Sequence, residues 1–138
     1  MKKLLLFLLL IFIIPEFYCQ KLKGEFAFKL PEDKGYKLFL NKVEFSSSEE
    51  VDWIYRFDSG SSKRMEIGVI ILKKEIGGWV DILTLTDYID LNKSIIYGKL
   101  KDFEPGDYKI VLIQQVSGVN KTIDEVEIYL YSDEDVLD

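Results

Sequence analysis

The sequence predicts an all-β sandwich of about seven to eight strands, and three observations carry that prediction. From residue 20 onward apolar and polar residues alternate with period two, which puts successive side chains on opposite faces of an extended strand. Apolar repeats at helical spacing are hard to find over the same stretch. Short polar turn sequences separate the alternating runs, as in sandwiches and small barrels.

Each element has its own signature. Phe26, Phe28 and Leu30 share one face, and so do Tyr36, Leu38 and Leu40. Val43 and Phe45 continue at odd positions, a one-residue slip that reverses the faces, so a bulge is expected near Asn41–Lys42. Val51, Trp53, Tyr55 and Phe57 form the cleanest stripe, opposed by Asp52, Arg56 and Asp58. Residues 67 to 72, IGVIIL, are apolar on both faces, as a central strand is. Gly77–Gly78 suits the left-handed torsions of a two-residue hairpin leading into WVDILTLT. Further strands are expected at 94–100, 107–116 and 123–131, the last with Val126, Ile128 and Leu130 inward. The segment 132–138, SDEDVLD, is an acidic tail expected to fray.

A leader precedes this domain. MKK is followed by an unbroken apolar run from Leu4 to Ile14 and then by Pro15. Eleven residues make a helix of about 16 Å, short of a bilayer core of about 30 Å. A basic start, a short apolar stretch and a break identify residues 1–19 as a secretory signal peptide, so the product is expected to be secreted or periplasmic, with no membrane span after cleavage. Cys19 either leaves with the leader or becomes a lipidated N-terminus. If it leaves, the mature chain has no cysteine, and the domain at 20–131 relies on its core without the disulfides frequent in small secreted domains. Lys2, Lys3 and Glu16 together carry +1, so the remainder of a chain at −6 carries −7. That charge repels phosphate backbones and anionic surfaces and argues against nucleic acid as a partner.

The residue inventory narrows the chemistry. Histidine is absent, which removes the usual base near neutral pH and the Ser-His-Asp and Cys-His nucleophile systems. Zinc sites need several Cys or His, and no phosphate-binding glycine loop has the required spacing. Carboxylates remain. Paired acids hydrolyse glycosides when held a few ångströms apart, and Asp52 with Asp58, or Asp81 with Asp87 and Asp90, are the available sets; a solvated surface accounts for them equally simply. Asp87, Asp90 and Asn92 supply oxygen ligands of the kind calcium takes, but without EF-hand spacing, so no metal and no cofactor is expected. Asn92-Lys93-Ser94 and Asn120-Lys121-Thr122 are glycosylation sequons at expected loop–strand junctions.

The segment FEPGDYKIVLIQ (103–114) carries a resemblance. Pro105 and Gly106 make a turn, and after one residue Tyr108 heads a strand. This resembles the approach to strand F of immunoglobulin-like and fibronectin-like sandwiches, and with ILKKEIGGWVDI (71–82) and GKLKDFEPGDYKIVL (98–112) it is similar to immunoglobulin-like domains of small exported bacterial proteins. The resemblance spans about residues 24–131. It implies that Tyr108 is a corner tyrosine whose hydroxyl bonds to upstream backbone, and that Trp53 is the core tryptophan of strand C. No cysteine pair can bridge the sheets, unlike in antibody domains. A second resemblance, in strand pattern alone, is to small secreted proteinase inhibitors of that fold.

The expected function is a non-catalytic binding module for a protein or a glycan. Trp79, beside the glycine turn, and Tyr97, Tyr129 and Tyr131, on the less apolar faces of their strands, are the candidate contact residues, since aromatics offer area with a polar tip. Packing beside the core is the alternative for all four. An inhibitor would need a rigid protruding loop, and DSGSSKRME (58–66), with Lys63–Arg64, is the candidate. A structural subunit of a cell-envelope assembly, joined through an exposed strand edge, is a further alternative.

Overall fold

The protein, seen in a computed structural model that describes residues 22–136, is all-β and built of two sheets. The segment expected to be a leader, residues 1–19 with Cys19, lies outside the described residues. The eight strands are β1 (Gly24–Lys29), β2 (Val43–Ser46), β3 (Val51–Phe57), β4 (Met65–Glu75), β5 (Gly78–Ile89), β6 (Ile95–Leu100), β7 (Gly106–Val116) and β8 (Val119–Tyr131). A three-stranded sheet has the order β1-β3-β6 and a five-stranded sheet the order β2-β8-β7-β4-β5. All pairings are antiparallel except β2 with β8, which is parallel because the chain reaches β2 by crossing between sheets.

The core lies between the sheets. Trp53, Tyr55 and Phe57 of β3 and Ile96 and Leu100 of β6 meet Ile67, Val69 and Ile71 of β4, Tyr108, Ile110 and Leu112 of β7, and Ile128 and Leu130 of β8. Period-two alternation produces this directly: the intervening residues turn outward.

Four local expectations are corrected. Tyr36, Leu38 and Leu40 do not form a strand face. Residues 30–42 are a crossover loop fastened by one bridge, Phe28 to Lys37, and by Asp33, whose carboxylate accepts from the Leu30 N–H at 3.0 Å and the Lys37 ammonium at 2.6 Å. The phase slip at Asn41–Lys42 is therefore a change of sheet and not a bulge. The bulges fall opposite Ile71/Leu72 in β5 and at Leu112/Ile113 against β8. In the β4–β5 hairpin, Glu75 pairs with Gly78, so Ile76–Gly77 form the tip and Gly78 alone of the two glycines has positive φ, +123°. The acidic tail is also anchored through residue 136. Asp133–Val136 make one 3-10 turn, and the Asp133 carboxylate accepts from the hydroxyls of Ser46 and Ser48, which hold it below the usual carboxylate range.

Tyr108 behaves as a corner tyrosine. Its ring is buried and its hydroxyl donates to the Glu104 carbonyl at 2.6 Å, across the turn made by Pro105 and Gly106 (φ +149°). Tyr108→Phe leaves that carbonyl without its partner, and stability measured by urea unfolding is expected to fall by about 1 kcal/mol or more. An unchanged midpoint would show that the turn holds without the bond.

Candidate interaction surface

The placement of the sequence-selected residues decides which surfaces are available. Trp53 is core, but it stands on β3, in the centre of the three-stranded sheet. The opposing long strand β4 carries Val69 and Ile71 into the same core.

The four aromatic candidates are not brought together. Trp79, Tyr129 and Tyr131 alternate with inward residues of the five-stranded sheet and so lie on its outer face. Tyr97 pairs with Ile54 on the outer face of the other sheet. Trp79 and Tyr129 sit on β5 and β8, with β4 and β7 between them. Three strand spacings of about 4.8 Å separate them. The Trp79 and Tyr129 rings each carry an ammonium. The Lys109 ammonium lies 4.5 Å from the Trp79 ring and 3.6 Å from both Glu125 and Glu127, and Lys42 lies 4.6 Å from the Tyr129 ring.

The candidate inhibitory loop is drawn against the body. Asp58 N donates to Lys23 O at 2.9 Å, Ser61 N to Asp90 O at 3.3 Å, and Ser61 is buried. The Arg64 guanidinium lies 3.9 Å over the Tyr88 ring, and Lys63 and Arg64 are both exposed.

The carboxylate sets are dispersed. Asp52 and Asp58 are six residues apart on one extended stretch, about 20 Å. Asp87 receives the Lys93 ammonium and the Tyr88 N–H. Asp90 Oδ1 accepts from the N–H groups of Asn92 and Lys93 at 2.7 and 2.9 Å, an Asx turn that accounts for the TDYIDLN cluster. Among the described residues no group of three Cys, His, Asp or Glu is arranged to hold a metal ion. No described helix is long and apolar enough to cross a membrane. Asn92 and Asn120 are exposed, the latter beside a β7–β8 turn with positive φ at Ser117 and Gly118.

The surface that stands out is β5, which sequence reasoning treated only as a strand. It pairs with β4 on one side and, among the described residues, with no strand on the other. Its inner face carries Leu83 and Leu85, opposite Ile71 and Val69. Those β4 partners are buried, yet Leu83 and Leu85 are 39% and 50% exposed, with Val80 at 48% and the bulged Ile82 at 42%. Only Ile89, at the far end, enters the core. The cause is the mismatch of sheets: three strands cannot cover five. A twelve-residue edge with uncovered apolar side chains is what proteins ordinarily shorten, charge or hide.

No protein-family model matches the chain, and no curated protein matches its sequence. Among solved structures it is similar to the soluble domain of PmoD from Methylocystis sp. strain Rockwell, with a TM-score of 0.58 and 7% identity over 82% of this chain and 94% of that one. At that identity the likeness concerns the fold alone.

Proposed function

We propose that this chain is an exported, non-catalytic interaction module of immunoglobulin-like fold, and that it binds its partner by adding an extended polypeptide strand to β5. One observation carries the reading: a long, unpaired edge strand whose inner side chains Leu83 and Leu85 are half exposed. An added strand satisfies the free edge N–H and C=O groups and covers the leucines, giving affinity through the main chain and selectivity through alternate side chains. The strand order, with β2 parallel to β8, and the Tyr108 corner support the immunoglobulin-like assignment. The leader composition supports export. The glycan alternative is weakened because Trp79, Tyr97 and the Tyr129–Tyr131 pair stand on three separate strands, with Tyr97 on the other sheet.

The test uses a labelled ten-residue peptide of alternating leucine and threonine, with protein kept dilute. Saturable binding is expected, and Leu85→Lys is expected to weaken it about tenfold or more, the loss that goes with one unburied leucine. Equal binding by the variant, or none by the wild type, removes strand addition at β5. Retention of envelope polysaccharide that is lost in Trp79→Ala and kept in Leu85→Lys points to a glycan module instead.

A further inference from the structure

We propose that the strand β5 accepts is the β5 of a second copy, so that two five-stranded sheets join edge to edge. This rests on the strand-addition reading above and identifies the partner at that site. The sequence Ile82-Leu83-Thr84-Leu85-Thr86 is self-complementary about Thr84. In an antiparallel pair centred there, Thr84 faces its counterpart, Leu83 faces Leu85 and Ile82 faces Thr86. Threonine pairs and apolar pairs directly across strands are favourable. A two-fold axis midway between the two Thr84 residues, perpendicular to the sheet, relates the copies. Both edges are consumed, and the contact closes at two chains. Leu83 and Leu85 of both copies then fall on the same side, so the two uncovered shelves meet as one apolar floor.

The charges fit this register because of the bulge. In a regular strand Asp81 would stand on the face of Asp87 and oppose it across the two-fold, and like charges placed so are destabilising. The extra residue Ile82 puts Asp81 opposite Leu72, on the outer face, while Asp87 stays opposite Ile67 on the inner face, held by Lys93. The bulge also limits the ladder to residues 82–86, close to the usual strand length of about five residues.

Cysteine scanning tests the register, since Cys19 is the only cysteine of the chain and Cys19→Ser leaves a background without thiols. Paired residues across antiparallel strands have Cα atoms about 4.5–5.5 Å apart, inside the span a disulfide bridges, about 4.4–6.8 Å. In that background Thr84→Cys is expected to form a covalent dimer under mild oxidation. Leu83→Cys alone is expected to give about tenfold less, because residue 83 faces 85, and mixing Leu83→Cys with Leu85→Cys is expected to restore the link. Similar yields at all three positions, or no dimer from Thr84→Cys, overturn the proposal. If the leucine–threonine peptide binds while Thr84→Cys gives no dimer, strand addition stands and the second copy is not its partner. If neither occurs, the reading of β5 itself is wrong.

Discussion

Trp53→Ala lowers the stability of the domain by about 3–5 kcal/mol, the cost of emptying a tryptophan-sized site that cannot collapse. The site resists collapse for a visible reason. The indole lies over Gly98 of β6, so closely that a Cβ added there would stand 2.6 Å from the ring. It also meets Phe26 at 6.3 Å between centroids. The backbone beneath the ring is held by the β3–β6 ladder and does not move in to fill the space. Trp53→Phe is expected to cost less than half as much. The indole N–H is buried without a hydrogen-bond partner among the described residues, and phenylalanine removes that donor, whose desolvation costs about 1–3 kcal/mol, while keeping most of the ring. Urea midpoints for the two variants check the order. An alanine variant within 1 kcal/mol of wild type would show that the three-stranded sheet repacks around the hole.

The same residue shows what was legible in the sequence. Alternation identifies Trp53 as inward-facing, and it is. Alternation does not say which sheet a strand joins, so the burial of Trp53 was legible and its place at the centre of the three-stranded sheet was not. The Tyr108 corner was legible because it is local: donor and acceptor are four residues apart across a Pro-Gly turn. The loop at 30–42 was misread because an alternating apolar run specifies a face without specifying a partner strand. Tyr36, Leu38 and Leu40 alternate, but after Pro31 the chain has to cross from one sheet to the other. The dispersal of the aromatic candidates has a related reason. Parity along a strand correctly turned Tyr97 and Tyr129 outward, but they face outward from different sheets. The β5 surface was missed because Leu83 and Leu85 have the pattern of core residues. Their exposure follows from the unequal widths of the two sheets, which no single strand encodes.

Raising the pH above about 10 is expected to destabilise the domain steeply, and two buried tyrosines dominate the argument. Burial in the core raises the Tyr55 hydroxyl well above its ordinary value of 10.0, reinforced by the Asp124 carboxylate that accepts its hydrogen bond at 3.1 Å. Burial likewise raises Tyr108. A folded-state value above the unfolded one means that the native state holds its proton after the unfolded chain has released it. The stabilisation is therefore complete below pH 10 and is lost as pH rises from there toward the folded-state values, at about 1.4 kcal/mol per tyrosine for each pH unit. Lys73 and Lys99, raised by their bonds to Glu104 and Glu50, lose charge in the same direction, but at exposed sites where ion pairs contribute little. Tyr55→Phe separates these sources. It removes one titration and leaves the lysines intact, so its stability at pH 9 falls while its slope between pH 10 and 11.5 flattens relative to wild type. Parallel slopes for the two proteins, measured by urea unfolding across that range, would place the alkaline transition on the surface lysines and not on the phenol inside the core.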